Sequence, residues 1–351
     1  MSDLLIYGSY GYTGRLIAQQ ATVDGLDPIL AGRTAEKVHD QAESLGCRSR
    51  VFEAKNPRTV ADYLEGVEVV LNCAGPFAHT ADPIVEGCIE TGTHYLDITG
   101  EWHVFRDIAE RGDDAEAAGV MLLPGVGFDV VPSDCLAAHL HDRLPSATDL
   151  SLALGGLGGM SRGTAMTMVE NIAEGGVVRE DGEIVNVPQA YHDREIEFSY
   201  GERSAMTIPW GDVFTAYHST GIPNVQVYSE THPKTINRLR KFRKLAPVLG
   251  TGPAQKLLKW LVNRRVKGPD DEQLREGRGE IWGEATDGEK TVVSRLETPN
   301  GYALTRDTAL LTTKRALDGD LKTGYQTPST AYGKDLVLEV DGVERVDVGG
   351  T

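Results

Sequence analysis

The chain has 351 residues, and no stretch of it approaches the ~20 uncharged apolar residues that a membrane-spanning helix needs. It carries four cysteines, Cys47, Cys73, Cys88 and Cys135, with no C-x-x-C pair and no histidine at ligand spacing. That pattern favours reduced, structural thiols over a disulfide framework or a zinc site. There is no internal repeat and no low-complexity tract. The chain opens directly on an apolar strand, so no signal peptide is expected and the protein is expected to be cytoplasmic. Lysine is scarce: twelve of thirty-five basic residues, six of them crowded between Thr231 and Pro269. The net charge of −17 speaks against a nucleic-acid partner. An acidic, lysine-poor exterior also suits a halophilic source, in which salt screens self-repulsion.

What is present starts at the N-terminus. Leu4-Leu5-Ile6-Tyr7 runs into Gly8-Ser9-Tyr10-Gly11-Tyr12-Thr13-Gly14 and resumes as Arg15-Leu16-Ile17-Ala18, which reads as strand, tight turn and helix. A pyrophosphate fits such a turn, because the glycines let the backbone come close and the first N–H groups of the helix supply donors and a favourable dipole. The spacing is G-x-x-G-x-x-G where the usual dinucleotide turn is G-x-G-x-x-G. A second buried strand, Pro28 to Thr34, follows where an NAD-binding fold presents an acid to the adenosine ribose. No acid is there. Gly32 leaves room for a 2′-phosphate and Arg33, followed by Thr34, offers a forked cation, so NADP is the expected cofactor. The alternative is that Arg33 is a solvated residue at a helix start.

Residues 1 to about 130 alternate strand and helix, which implies a Rossmann-type, doubly wound parallel sheet whose ligands bind beyond the carboxyl ends of the strands. Three strand ends are rich in chemistry. The first is Asn72-Cys73-Ala74-Gly75-Pro76, where small residues let the chain pass close to a nicotinamide ribose and Pro76 stiffens the turn. The second runs from His94 to Glu101 and the third from Pro124 to Asp134, in which Ser133 or Asp134 is placed to cap the next helix. Tyr95, Asp97, Glu101 and Asp129 are the candidates for handling a proton: a neutral tyrosine donates directly, and a carboxyl does so when burial raises its pKa. In the competing reading Asp97 and Glu101 cap turns and Tyr95 is core.

Residues 136–327 read as a second, α/β domain, with short strands, a hairpin from Glu280 to Leu296 around Asp287-Gly288, and a closing helix from Ala303 to Leu317. Residues 328–351 are expected to return to the first domain. Gly159-Met160-Ser161-Arg162-Gly163 matches the G-x-S-x-G of a nucleophile elbow, with Asp212 and His218 or His232 as nominal partners, but its loop is long where an elbow is sharp. Thr231 to Pro269 holds eleven basic residues and no acid, which leaves −28 on the rest. It predicts two basic amphipathic helices over 232–267, the second with Ala254, Leu257, Leu258, Leu261 and Val262 on one stripe. These helices either pair with acidic surface of the same chain or of a second copy in a homodimer, or lie on a membrane at its inner face.

The order and spacing of GSYGYTG, LAGR, NCAGPF, YLDITGE and PGVGFDVVPSD resemble the saccharopine dehydrogenase-like oxidoreductases, including the trans-acting enoyl reductases of lipid biosynthesis. The likeness continues through Ser161 to Ala165, Gly268-Pro269, the Glu280-to-Thr298 hairpin and Thr327 to Gly333. It implies an NADP-binding Rossmann domain, a following α/β domain and a C-terminal helix that returns to the first. It further implies an NADPH-dependent oxidoreductase of enoyl-reductase type with a small, apolar or lipid-like substrate. A saccharopine- or imine-type amino-acid dehydrogenase is the alternative, for which a cluster of arginines is expected and only Arg162 and Arg179 are near the glycine-rich loop. A non-catalytic NADP-binding module at a membrane surface is the third reading.

Overall fold

The computed structural model describes residues 4–156, 166, 169, 175–243, 251–265 and 271–349. The chain divides into two compact units, one of Met1–Val131 with Tyr302–Ala331 and one of Pro132–Gly301 with Tyr332–Thr351.

The first unit is built on β1 (Leu4–Tyr7), β2 (Ile29–Gly32), β3 (Arg48–Val51), β4 (Val69–Asn72), β5 (His94–Asp97), β6 (Met121–Leu123) and β15 (Gly324–Tyr325). These form one parallel sheet in the order β15-β6-β5-β4-β1-β2-β3. Every residue of β1, β2, β4 and β5 is buried, as expected when helices cover both faces of a parallel sheet. With both faces covered, function is left to the strand ends. The order reverses between β1 and β4, which pair Leu4 with Val69 through to Tyr7 with Asn72. The carboxyl ends of these two strands therefore frame the crevice where such sheets take ligands. Helix α1 (Tyr12–Val23) leaves that crevice directly from the glycine turn.

The helical return is real but begins earlier than residue 328. The helix Gly301–Leu317, read from sequence as closing the second domain, is counted with the first unit from Tyr302 on, together with β15 and Pro328 to Ala331. Its buried threonines account for this placement. The Thr305 hydroxyl accepts from Phe128 N at 3.0 Å and the Thr308 hydroxyl donates to the Val126 carbonyl at 2.8 Å. The last residues, from Tyr332, belong instead to the second unit, where β16 (Glu344–Val348) pairs antiparallel with a hairpin strand.

The second unit holds a nine-stranded sheet of β7 (Asp149–Gly155), β8 (Gly176–Glu180), β9 (Glu183–Val187), β10 (Asp193–Phe198), β11 (Gly201–Thr207), β12 (Asn224–Glu230), β13 (Arg278–Thr286), β14 (Thr291–Pro299) and β16. Among the described residues, β12–β7 is the one parallel pair of this sheet. Ala153, Ile196, Phe198, Ala205, Tyr228 and Trp282 form a core on it. The β13–β14 hairpin turns at Asp287, whose Oδ1 accepts from the Glu289 and Lys290 amides at 3.0 and 2.8 Å. The helix Val131–Arg143 starts ahead of Ser133 and Asp134, so neither caps it; Asp134 instead accepts from the Ser219 hydroxyl. Among the described residues of the basic segment two helices are present, Pro233–Phe242 and Gly252–Arg265. Among the described residues no helix is long and apolar enough to cross a membrane.

Candidate functional site

Gly8 sits at φ +78°, a conformation in which other residues are strained. A Cβ there would lie 2.8 Å from the Ala74 Cβ, so only glycine lets the ends of β1 and β4 close together. A Cβ on Gly14 would fall against the Gly8 carbonyl, which ties the start of α1 to the turn. Gly11 is the N-cap and brings no side-chain cap, and the first turn of α1 holds no acid. No acidic side chain therefore offsets the positive end of the helix dipole there. The Ser9 hydroxyl is fully buried and has no hydrogen-bond partner among the described residues. An orphaned hydroxyl beside the positive end of a helix fits a phosphate-bearing ligand, and Ser9 and the amides of residues 13 and 14 are the groups that would hold it, while the Gly11 amide donates to the Gly8 carbonyl at 3.0 Å and closes the turn. Tyr12 meets Tyr302 edge-on, with ring centroids 5.1 Å apart.

At the end of β2 the space beside Gly32 belongs to a neighbour: a Cβ there would lie 2.6 Å from Tyr10 Cε1. The Tyr10 hydroxyl donates to Thr34 Oγ1 at 3.2 Å, and Lys37 Nζ stands 5.6 Å over the Tyr10 ring. Arg33 is exposed. The bareness of Gly32 therefore serves the Tyr10 ring, and Arg33 with Thr34 and Lys37 presents the polar edge. Lys37 was not singled out by sequence, because on a helix it looks like any solvated cation.

The next two strand ends are joined by a buried polar network. Asn72 accepts from Ala74 N at 3.0 Å and donates to Thr80 Oγ1 and to the Tyr95 hydroxyl at 3.2 and 3.3 Å. Tyr95 in turn donates to Asp97 Oδ2 at 2.7 Å, and Asp97 Oδ1 accepts from Thr99 N and Gly125 N at 2.9 and 2.8 Å. The Asp97 carboxylate thus links the ends of β5 and β6, and through the Tyr95 hydroxyl it is connected to Asn72 at the end of β4. Burial lifts its pKa to about 6 against the pull of these hydrogen bonds, and burial also pushes the Tyr95 hydroxyl well up. Glu101 spends both oxygens on the Phe77 and Ala78 amides, at 2.8 and 3.2 Å, and so anchors the turn that follows Gly75-Pro76.

Asp129 differs from these three. Tyr95 and Asp97 are 0% exposed and Glu101 8%, whereas Asp129 is partly exposed. It lies against Gly100, where a Cβ would come within 2.7 Å of its Oδ2. Burial, then the charge of Glu101, raises its pKa to about 7. A carboxyl at that value is both protonated and able to release its proton near neutrality. Thr305, which braces the loop at Phe128, was missed because it lies 177 positions away and carries no local signal.

Ser161 and Arg162, with the rest of Gly159 to Gly163, lie outside the described residues. Arg179, the other arginine considered for an amino-acid substrate, is 5% exposed; its Nε donates to the Val213 carbonyl at 2.7 Å, and it stacks 4.1 Å over Tyr217. It is committed to the interior.

Residues 4–123 match the saccharopine dehydrogenase NADP binding domain. A trans-acting enoyl reductase of Mycobacterium leprae is 31% identical over 150 residues, 40% of this chain and 36% of that protein. A human saccharopine dehydrogenase-like oxidoreductase is 27% identical over 162 residues, 40% of this chain and 38% of its own length. The matched part is thus well under half of either relative. Saccharopine dehydrogenase (L-Glu forming) of Saccharomyces cerevisiae shares the fold with a TM-score of 0.65 over 99% of this chain and 100% of that one, at 13% identity. The match to residues 4–123 and the cradle at their first strand agree: this part of the chain is similar to the saccharopine dehydrogenase NADP binding domain, and the cofactor is NADP.

Proposed function

We propose that the chain is an NADPH-dependent oxidoreductase that reduces an apolar, lipid-like substrate at a carbon–carbon double bond conjugated to a carbonyl. Bound NADPH supplies the hydride. The protein's task is then to hold the substrate beside the strand ends and to deliver one proton, and Asp129 is the residue proposed to deliver it. The observation that carries this reading is accessibility together with proton affinity: Tyr95, Asp97 and Glu101 are buried, while Asp129 is partly exposed and carries a pKa of about 7. The name of the M. leprae relative, trans-acting enoyl reductase, supports the substrate class. The interior placement of Arg179 speaks against an amino-acid dicarboxylate.

In the same reading the net charge of −17 suits a cell interior of high salt, and the basic segment 232–267 serves either a membrane contact or a homodimer. The test is NADPH consumption by the purified protein with an α,β-unsaturated acyl thioester, with saccharopine as the competing substrate in the oxidative direction. Consumption with the thioester alone supports the proposal. Turnover of saccharopine alone would assign an amino-acid dehydrogenase, and NADPH binding without turnover of either would assign a binding module.

A further inference from the structure

The helix Gly252–Arg265 turns large apolar side chains to solvent. Leu257 is 58% exposed and Trp260 53%. Pro253, Lys256 and Arg264 are exposed as well, whereas Ala254, Leu258, Leu261 and Val262 are partly buried. At 100° per residue, positions 253, 256, 257, 260 and 264 share one arc, and 254, 258, 261 and 262 share another. The apolar stripe expected from sequence is therefore divided. Most of it faces the unit, while Leu257 joins Trp260 on the outside, where the Arg264 guanidinium lies 5.5 Å over the Trp260 ring. A surface helix ordinarily keeps its large apolar groups inward.

The cations of the preceding helix, Pro233–Phe242, and of the residue after it divide in the same way. Arg240 pairs with Asp193 and donates to the Ala190 carbonyl at 3.1 Å, and Arg243 donates to the Gln189 and Ala190 carbonyls, both at 2.6 Å. These two are internal fastenings. Lys234, Arg238 and Lys241 remain exposed. No acid interrupts Thr231 to Pro269, and the rest of the chain carries −28.

We infer that the outward face of Gly252–Arg265 is a membrane-surface anchor, which seats Leu257 and Trp260 at the headgroup level of an anionic bilayer with Lys256 and Arg264 among the lipid phosphates. Tryptophan suits that depth because its ring is apolar and its N–H finds a wet partner. Lysine and arginine stems lie along the apolar layer while their charged heads stay in water. Charge also fixes the orientation, since an anionic leaflet attracts this island and repels the remaining surface. A second copy of the chain fits less well, because the cores of protein interfaces are depleted in lysine. The inference goes beyond the proposed reduction and does not depend on it.

Sedimentation of the full chain with phosphatidylcholine vesicles, with and without phosphatidylserine, tests it without any substrate. Binding is expected with phosphatidylserine and not without it at low salt, accompanied by a blue shift of tryptophan emission. Leu257→Ser with Trp260→Ser is expected to weaken binding about tenfold or more, and Lys256→Gln with Arg264→Gln to act in the same direction. At molar salt the Debye length falls to about 3 Å, so binding that survives there reports on Leu257 and Trp260 alone. Should the Leu257 and Trp260 variant fold poorly by circular dichroism, Lys234→Gln with Lys241→Gln, all on the exposed surface, carries the test. Wild-type protein that stays in the supernatant at low salt overturns the anchor. So do variants that bind vesicles normally but change sedimentation velocity without lipid, which would assign the face to a second copy.

Discussion

The acids at the strand ends of the first unit and the cations of Gly252–Arg265 in the second use charge in opposite ways. Asp97 is surrounded by three donors from two strand ends and is fully buried. Its surroundings therefore dictate both its position and its affinity for a proton. Lys256 and Arg264 stand exposed and act through the field they project. A buried charge thus shows its role in its partners and its pKa, and an exposed one only in the company it keeps. Asp129 lies between the two, partly exposed and with a pKa of about 7.

The largest expected effect tests that intermediate position. Asp129→Asn should lower turnover about 10²- to 10⁴-fold with little change in NADPH affinity measured by fluorescence titration; equal turnover would remove Asp129 from the chemistry. In the wild type, kcat/KM for reduction should fall above about pH 7, as the donor loses its proton. Stability has the same sign. Asp129 and Asp97 have folded pKa values of about 7 and about 6, above the ordinary 3.8, so the folded state holds their protons more tightly. Their contribution is full in acid and is lost as pH climbs through those values. Asp129→Asn should flatten that decline in a series of thermal melts from pH 4 to pH 8.

Next in size is the network itself. Asp97→Ala strips the acceptor from Tyr95, Thr99 and Gly125 and should cost about 3 kcal/mol of stability by urea unfolding, whereas Tyr95→Phe should cost about 1 kcal/mol. If the two costs are equal, Asp97 is not the group that joins the strands. Smaller again is cofactor choice: Arg33→Ala should erase about tenfold of the preference for NADPH over NADH, the loss of one charge-assisted contact. The smallest effect belongs to the acidic surface, where molar salt should raise the melting temperature by a few degrees through screening; no gain would count against a salt-adapted protein.

Much was legible from sequence because it rests on local rules. The G-x-x-G-x-x-G turn, the strands of the parallel sheet and the hairpin at Asp287-Gly288 each depend on neighbours a few residues apart. So did the presence of two basic helices. The four proton-handling candidates could be nominated as a group, since all lie at the ends of strands or in the loops that follow.

Their separate roles came only with tertiary structure. Whether a carboxyl holds backbone amides, as Glu101 does with Phe77 and Ala78, depends on where another strand's loop passes. No spacing along the chain records that. The same holds for Gly32, whose missing side chain makes way for the Tyr10 ring, and for Thr305, which meets Phe128 across 177 positions. The side on which the helix Gly301–Leu317 would fall was hidden too, because its buried face is lined with threonines and gives no strong apolar stripe. Periodicity along the chain determined which elements form. The long-range hydrogen bonds and close approaches that decide what each polar group does exist only once those elements have met, because a side chain's chemistry is set by what surrounds it in space.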